Sequence, residues 1–279
     1  MSRRVIVLDD DPTGTQAAAG VPVLLDLDAA LPDSGPCYVL TNSRALEEAE
    51  AVRLVRRLRA RFGPAEYVLR GDSTLRGHVF AEADALGAAD GVLLFVPAYP
   101  GIGRVTVGGV HYVVVSGRRV VAADTEFAAD PVFGYTARTM AGWAMEVGGR
   151  EATTVALDAV RRGDLAGIFR RAAPGSVVVP DVETDDDLAA ISAALDDVTT
   201  AAGAGRLPVV LRCAAPLAAL RAGRLAQGLL PALSPDAPPV QRPPPPRTRH
   251  RCGRPRRSYR HPSPARPSQA GTQDRRAAL

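Results

Sequence analysis

The feature that most constrains the fold is a repeated unit in which a short apolar run is followed by a polar loop and then a helix. The apolar runs span Val5 to Leu8, Tyr38 to Leu40, Tyr67 to Leu69 and Val92 to Val96, and each ends in a polar or Pro/Gly-rich segment. Uninterrupted apolar runs of this length are typical of parallel strands buried on both faces. The sequence therefore predicts an α/β fold, a three-layer, doubly wound and mostly parallel sheet with its site at the carboxyl ends of the strands.

One helix and one hairpin are predicted in more detail. Apolar residues recur at three-residue steps, with charged residues between them, at Leu46, Ala49, Val52, Val55 and Leu58. This spacing indicates an amphipathic helix, which Gly63 and Pro64 would end. Residues 111–121 predict a β-hairpin with Gly117 at its turn. This excursion either covers the site as a lid or forms only an edge of the sheet.

The composition changes near residue 233. Residues 236–279 hold eleven Arg against two acids, a net charge of +9, whereas residues 1–235 hold 23 Arg and 28 acids, a net charge of −5. Because the tail has too few aliphatic residues to offset its ordering entropy, we predict a domain at 1–233 and a disordered tail at 234–279. A GC-rich gene translated out of frame gives such a tail, so we expect the natural continuation to have been lost by frameshift or truncation. A nucleic-acid-binding tail and an SH3-type ligand are the alternatives.

Several functional classes are not expected from the composition. No apolar run reaches the ~18–20 residues that span a bilayer, and the chain turns acidic at Asp9 before a signal-peptide core is formed. Cys37, Cys213 and Cys252 are far apart, with no CxxC pair and no His at metal-ligand spacing. We therefore predict a cytoplasmic protein without a membrane partner, disulfides or structural zinc, and we assign no metal ligand. Since the positive charge belongs to the tail, we do not expect nucleic acid to bind the globular part.

The polar loop after the first strand carries three successive carboxylates in the sequence LDDDPTGTQ, residues 8–16. Adjacent carboxylates repel one another, so they persist most easily where water, a cation or substrate hydroxyls offset the charge. Asp10, Asp11 and Thr13 are the candidate binding residues of this loop. A capped turn, with Asp11 or Thr13 serving only as a helix N-cap, is the alternative, and both interpretations stay open at this point.

The loop after the second strand contains Asn42, Ser43 and Arg44. An arginine fork beside hydroxyl and amide donors suits the bidentate recognition of a carboxylate. In the alternative interpretation, Ser43 caps the following helix and Arg44 pairs with an acid on its own surface.

The densest polar run, RGDSTLRGH at residues 70–78, follows the third strand. Its chemistry suits a polyol acid, because arginines bind a carboxylate while Asp72 and the hydroxyls pair with sugar OH groups. The alternative is a cap formed by the residues from Asp72 to Thr74, with Arg76 as a salt-bridge donor. His78 is more often a structural residue than a catalytic one.

The loop after the fourth strand is made rigid by proline and glycine, and it presents Arg104. Asp124 and Asp130 follow in a second acidic, hydroxyl-bearing loop beyond the predicted hairpin. The chain has no GxxxxGK[ST] phosphate loop, which would require lysine, and no GxGxxG after the first strand. We therefore recognise no nucleotide site.

Seven motifs in order resemble the four-carbon acid sugar kinase family over about residues 1–230: DDDPTGTQ, LTNSRAL, DSTLRGH, PAYPGIGR, GVHYVV, DTEFAADPVFGY and LRCAAPLAALRAG. The resemblance implies a two-domain α/β enzyme that uses ATP and Mg²⁺ to phosphorylate a tetronate or 3-oxo-tetronate. It implies that the amino-terminal domain binds the sugar acid and that a glycine-rich carboxyl-terminal domain binds ATP.

The resemblance also assigns site residues. It implies a pocket lined by Asp10, Asp11, Thr13, Asn42, Ser43, Arg44, Asp72, Ser73, Arg76 and Arg104. We expect Asp10 or Asp72 to act as the catalytic base that accepts the hydroxyl proton. We expect Arg44 and Arg76 to anchor the substrate carboxylate.

Two departures from the family pattern stand out. Arg70 occupies a position that is often lysine, which brings any role of a point ammonium charge into question. After Leu233 nothing resembles the nucleotide-binding domain. By this inference the chain alone supplies only the sugar-acid site and is inactive. The alternatives are a non-catalytic binding module completed in trans by a separate nucleotide-binding chain, and a regulatory protein acting through the tail.

Overall fold

Eight parallel strands form the central sheet, and helices cover both of its faces. The structure is a computed structural model that describes residues 4–17, 19–200 and 207–223, apart from the side chains of residues 15–17 and 199–200. The tail predicted to be disordered lies outside the described residues, and the domain boundary at 233 stays a prediction.

The described part contains eleven strands and seven α-helices. The strands are β1 (Val5–Asp9), β2 (Val23–Leu24), β3 (Cys37–Leu40), β4 (Glu66–Arg70), β5 (Val92–Val96), β6 (Arg104–Val107), β7 (Val110–Val115), β8 (Arg118–Val121), β9 (Ala152–Val155), β10 (Val177–Pro180) and β11 (Val209–Cys213). The helices are α1 (Glu48–Phe62), α2 (Val79–Ala85), α3 (Met140–Gly148), α4 (Leu157–Arg161), α5 (Leu165–Arg171), α6 (Asp185–Thr200) and α7 (Ala215–Arg221). Within the described residues, no helix has both the length and the apolar character that crossing a bilayer requires.

The strand order places the predicted polar loops together. The sheet runs β2-β3-β1-β4-β11-β5-β10-β9, and neighbouring strands are parallel. The chain leaves β3 on one side of β1 and continues with β4 on the other, and ligands bind open α/β sheets at such reversals. Asp9 at the end of β1 pairs in register with Leu40 of β3 and with Arg70 of β4. The loops after these three strands therefore start at one edge.

Alternate residues of each strand serve opposite layers of the core. Ile6 and Leu8 of β1 belong to the cluster that packs against α1, α2 and α3, whereas Val7 belongs to the cluster that packs against α4 to α7. All three side chains are buried, as expected for a strand with period two between two helical layers. The predicted three-layer, mostly parallel α/β fold is confirmed.

The predicted amphipathic helix is also present, as α1. It begins at Glu48, two residues after Leu46, and ends at Phe62. Gly63 follows with φ of 71°, a left-handed conformation that glycine adopts without steric cost.

The predicted hairpin is present and belongs to a second, three-stranded antiparallel sheet of order β6-β7-β8. Ser116 and Gly117 connect β7 to β8 with φ of 50° and 75°, which is the sign pattern of the type I′ turn favoured in hairpins. Gly108 and Gly109 make an equivalent connection between β6 and β7, with φ of 61° and 71°. This first connection, and with it the strand β6, is not among the elements predicted from the sequence.

The small sheet is fastened to the end of β10 by a buried carboxylate. Asp181 accepts hydrogen bonds from the amides of Gly108 at 2.7 Å and of Gly109 at 3.0 Å. A β-bridge joins Thr106 to Val182 next to it. The excursion is thus a separate sheet at the carboxyl edge of the central one, and the interpretation as a mere sheet edge is wrong.

The aromatic stack around Trp143 gives a test of this packing. Trp143 is 1% exposed and stacks on Phe95 with 4.8 Å between ring centroids, and Phe80 lies 5.2 Å from it. We expect Trp143→Ala to lower the free energy of unfolding by about 3–5 kcal/mol, because it removes contacts and leaves a cavity. Urea unfolding followed by far-UV circular dichroism measures this loss. Tryptophan fluorescence is not suitable, because Trp143 is the single tryptophan and the variant lacks it.

Met145→Ala is the matched control, because Met145 lies on the same helix and is 51% exposed. It should change the free energy of unfolding by less than about 0.5 kcal/mol. Equal losses in the two variants would contradict the packing described.

Candidate functional site

A line of alternating carboxylates and guanidiniums crosses the edge formed by β1, β3 and β4. Arg44 contacts Asp11, and its Nη1 lies 3.5 Å from Asp72. Arg76 donates from Nε to Asp72 at 2.9 Å, and its Nη1 lies 3.7 Å from Asp130. The charged line therefore runs Asp11, Arg44, Asp72, Arg76, Asp130. Each of these side chains is between 13% and 27% exposed, so the line is within reach of a small polar ligand.

The carboxylates of the charged line stay ionised at neutral pH. Burial alone would raise the pKa of Asp72, but hydrogen bonds from Arg76 and Thr74 outweigh it and the pKa falls below its usual range. The pKa of Asp11 is lowered for a similar reason, because hydrogen bonds from Thr13 and the charge of Arg44 exceed the effect of burial. Ionised carboxylates only accept hydrogen bonds, so a hydroxyl-bearing ligand suits them.

Arg104 adds a third guanidinium to the site. Arg76 and Arg104 lie against the same ring, that of Phe127, with Cζ-to-centroid distances of 5.1 and 5.7 Å. Arg104 donates from Nη1 to the carbonyl of Ile102 at 3.1 Å, and its Nε is buried without a hydrogen bond. Among the described residues, no carboxylate lies within 4.0 Å of its guanidinium. Arg104 is therefore a cation whose charge these residues do not balance.

Three other predicted residues, Thr13, Ser43 and Asn42, lie in the loops that carry the charged line. Thr13 is exposed, and its amide donates to Asp11 at 2.9 Å, which is the capped turn weighed as an alternative for this loop. Ser43 is 1% exposed, and its hydroxyl lies 3.1 Å from that of Thr41. Asn42 is exposed in a left-handed conformation with φ of 51°. Ligand-binding roles for Thr13, Asn42 and Ser43 stay predictions.

The loop Gly71–Gly77, which carries Asp72, Ser73 and Arg76, is held from one side by His111 and Tyr135. His111 Nε2 donates to the carbonyl of Ser73 at 2.9 Å, and Tyr135 donates to the carbonyl of Thr74 at 3.4 Å. Complete burial lowers the pKa of His111 to about 4, so the imidazole is neutral at physiological pH. Its Nδ1 then accepts the hydroxyl proton of Thr106 at 2.9 Å.

His78 contributes to packing within the domain. Its ring is buried, with Nε2 at 2.8 Å from the carbonyl of Leu46, and it meets Phe133 edge to face at 5.1 Å. Ser73 is partly exposed. Its predicted contact with a ligand remains untested.

Arg70 is a buried arginine whose guanidinium lies beneath the loop after β1. It donates from Nη1 to Asp9 Oδ1 at 2.8 Å and to the carbonyl of Asp11 at 2.9 Å. A Cβ at Gly14 would overlap with the Arg70 guanidinium, so this close approach requires glycine. The residue that departs from the family pattern therefore binds two oxygens at once, which a lysine ammonium does with less geometric precision.

A buried ion triad lies beneath the loop Gly71–Gly77 and is not among the features predicted from the sequence. Arg212 of β11 donates from Nη2 to Asp10 Oδ2 at 2.8 Å and contacts Glu82 through Nη1. All three side chains are at most 2% exposed. The available signal was a charged residue inside the apolar strand VVLRC, together with an acid in the buried part of α2.

Asp10, predicted as a candidate base, is thus a buried member of this triad. Burial raises the pKa of its carboxyl to about 6, although the charge of Arg212 acts in the opposite direction. Its Oδ1 has no hydrogen bond, and Arg70 Nη1 lies 3.7 Å from it.

The described residues do not offer a ligand set for the Mg²⁺ that the resemblance implies for the whole enzyme. Within them, no group of three His, Cys, Asp or Glu side chains is arranged to hold a metal ion. The carboxylates of the charged line each face a guanidinium instead.

Comparison with known proteins identifies the family. Residues 5–221 match the family described as the sugar-binding N-terminal domain. A D-threonate kinase from Cupriavidus necator is 30% identical over 199 residues, which cover 69% of this chain and 43% of that protein. A D-erythronate kinase from Heliobacterium modesticaldum is 32% identical over 145 residues, which cover 46% of this chain and 32% of that protein.

Solved structures share the fold. A Bordetella bronchiseptica domain of unknown function, solved with bound citrate as a domain-swapped dimer, has a TM-score of 0.59 and 30% identity over 78% of this chain and 55% of its own. A Haemophilus influenzae protein has a TM-score of 0.62 at 16% identity, with the same coverage. The chain spans about half the length of these solved structures and less than half of the two kinases. Because the family match extends over residues 5–221, the chain belongs to the four-carbon acid sugar kinase family and carries its sugar-binding amino-terminal domain.

Proposed function

We propose that this chain supplies the sugar-acid site for the ATP-dependent phosphorylation of a four-carbon acid sugar, a tetronate or 3-oxo-tetronate. The observation that carries the proposal is the charged line at the edge of β1, β3 and β4, which lies beside a guanidinium that has no carboxylate partner among the described residues. Such a site offers a guanidinium that can bind an anion and a row of carboxylates that can accept hydrogen bonds from hydroxyl groups.

The substrate carboxylate binds Arg104 in this proposal. Arg44 and Arg76, predicted as carboxylate anchors, are already engaged by Asp11, Asp72 and Asp130. A second anion at either of them would compete with a neighbouring aspartate, whereas at Arg104, which is half-buried, it would balance a charge that no described carboxylate balances. Arg76 lies against the same Phe127 ring as Arg104 and adds positive charge beside it.

Asp11 and Asp72 accept the substrate hydroxyls. A four-carbon acid sugar carries hydroxyls along its chain, and the charged line alternates acceptors with donors in a similar way. Each hydroxyl that donates to an aspartate can accept from the neighbouring arginine, Arg44 or Arg76. The arrangement therefore orients a polyol by its pattern of hydroxyl groups.

Asp72 is the better placed of the two predicted catalytic bases. Phosphorylation joins a substrate hydroxyl oxygen to the γ-phosphorus of ATP, breaks that phosphorus's bond to the leaving oxygen and releases the hydroxyl proton. Asp72 is 13% exposed and Asp10 only 2%, so Asp72 is the carboxylate that a hydroxyl reaches directly. Asp10 has the higher pKa, which suits a base, but it lies beneath the loop.

The remaining parts of the proposal concern partners. ATP and Mg²⁺ come with a nucleotide-binding domain or separate chain, the chain alone does not turn over, and the location is cytoplasmic. The citrate in the Bordetella bronchiseptica relative is a small polycarboxylate with a hydroxyl group, the chemistry proposed for this site.

Calorimetry with D-erythronate, D-threonate and L-threonate, with and without ATP and Mg²⁺, tests the proposal. We expect one of the acids to bind to the full chain with a stoichiometry of one and without ATP turnover. Arg104→Ala should weaken that binding by about 10- to 100-fold, the cost of one charge-assisted contact of roughly 1.5–3 kcal/mol.

Arg118→Ala is the matched control, because Arg118 is an exposed arginine at the distal turn of the same small sheet. It should leave the affinity unchanged. If the folded chain binds none of the acids, the sugar-acid site is wrong. Steady ATP turnover would contradict only the statement that the chain is inactive alone. If the chain binds an acid without turnover, and adding a nucleotide-binding chain brings turnover, the result would support the module completed in trans.

The raised pKa of Asp10 predicts a pH-dependent stability. Since the folded-state pKa of about 6 exceeds the ordinary value of 3.8, the folded chain binds this proton more tightly, and the associated stability is lost as the pH rises through 6. Asp10→Asn cannot lose a proton. The free energy of unfolding of this variant minus that of the wild type should therefore rise by about 2 kcal/mol between pH 4.5 and pH 8, because only the wild type loses stability as the carboxyl ionises.

Urea unfolding at the two pH values measures this difference. Asp28→Asn provides the control, because the Asp28 side chain is 88% exposed and its replacement should give a nearly constant difference. A constant difference for Asp10→Asn as well would contradict the raised pKa.

A further inference from the structure

We propose that Arg212 is a positioning residue of the sugar-acid site, which fixes the loop Gly71–Gly77 and Asp10 without contacting the substrate. The inference rests on the proposed function, since the loop carries Asp72 and Arg76 of the charged line. It adds a residue outside the predicted pocket, on the last described strand of the sheet.

Arg212 is buried too deeply in the sheet to contact a ligand in solvent. It lies on β11, between β4 and β5, and is 1% exposed. A buried guanidinium is costly unless carboxylates compensate it, and here Asp10 and Glu82 do so. Glu82 belongs to α2, so the cation joins the sheet, the helix after the loop, and the end of β1.

Both ends of the loop rest on the Arg212 guanidinium. A Cβ at Gly71 would overlap with its Nε, and a Cβ at Gly77 would lie 2.9 Å from its Nη2 and 3.1 Å from Asp10 Oδ2. The φ of Gly71 is not in the left-handed region, so space alone requires glycine there. The backbone amide of Gly71 also donates to the carbonyl of Cys213, the next residue of β11, at 2.9 Å.

The loop is thus clamped between two surfaces. Arg212 supports its two glycine ends from below, whereas His111 and Tyr135 bind its Ser73 and Thr74 carbonyls. Asp72 and Arg76 project from the clamped segment into the charged line. Displacing Asp72 or Arg76 would weaken their charge-assisted hydrogen bonds to the ligand, so the support has a measurable effect on ligand affinity.

Arg212→Lys is the first test. Lysine keeps the charge but cannot form the two-sided contact with Asp10 and Glu82 or fill the plane beneath Gly71. We expect the affinity of the full chain for its four-carbon acid, measured by calorimetry, to fall by about tenfold or more, the effect of losing one charge-assisted hydrogen bond to the ligand. Hydrogen exchange of the amides from Gly71 to Gly77 should accelerate in the same variant.

Arg221→Lys is the matched control. Arg221 is a buried arginine that also joins two carboxylates, Glu66 and Asp196, but it lies at the opposite end of β4 from Arg70. Its replacement should lower thermal stability by a comparable amount and leave the acid affinity unchanged. A loss of affinity that merely follows stability would affect both variants equally, and that outcome would overturn the inference.

Gly71→Ala keeps the inference testable if Arg212→Lys does not fold. The new methyl group pushes the guanidinium aside without removing any charge, so the affinity should again fall by about tenfold. Gly167→Ala, in α5, is the matched control. Its new methyl group meets only the flexible ends of Arg171, at 3.3 Å, and Arg170, at 3.7 Å, and should have no effect on affinity.

The possible failures are distinguishable. If the wild-type chain binds no four-carbon acid, the proposed function is wrong and the inference falls with it. If the wild-type chain binds an acid and Gly71→Ala binds it equally well, the site exists and the positioning role of Arg212 is wrong.

Discussion

The site depends on two buried guanidiniums, Arg70 and Arg212, whose charges are compensated beneath the carboxyl edge of the sheet. Isolated guanidinium charges at this depth would be strongly destabilising, and the carboxylates of Asp9, Asp10 and Glu82 lie against them and compensate their charge. Loops are normally the least constrained parts of a domain. Here the loops after β1 and β4 lie directly on the guanidinium planes, which fixes their backbone before any ligand arrives.

The small antiparallel sheet completes this arrangement from the other side. It is anchored to the end of β10 through Asp181, and it places His111 against the loop that carries Asp72. The neutral imidazole donates one hydrogen bond and accepts another, so it holds the loop without adding charge to the site. The net charge that a ligand meets is therefore set by the more exposed groups. Of the site arginines Arg44, Arg76 and Arg104, it is Arg104 that has no carboxylate partner among the described residues.

The sequence was sufficient for the features that depend on neighbours along the chain. Apolar runs that end in acids and hydroxyls predicted the parallel strands, and the polar loops after β1, β3 and β4 do meet at one edge. The burial of Asp10 and the role of Arg212 were not predictable in this way, because the two residues are 202 positions apart and meet only through strand order. Arg104 was predicted, but its lack of a carboxylate partner among the described residues was not, since that depends on where the acids of other loops lie.

The strand order has a consequence for synthesis of the chain. β11 lies between β4 and β5, although both of these precede it by more than a hundred residues. Until β11 has left the ribosome, the centre of the sheet has two open edges facing each other, with backbone donors and acceptors unpaired. The edges of β4 and β5 stay unpaired through a long stretch of translation. In a chain that ends before β11, they would stay exposed. Insertion of β11 closes the sheet and delivers Arg212 in the same step, so completion of the core and completion of the site are one event.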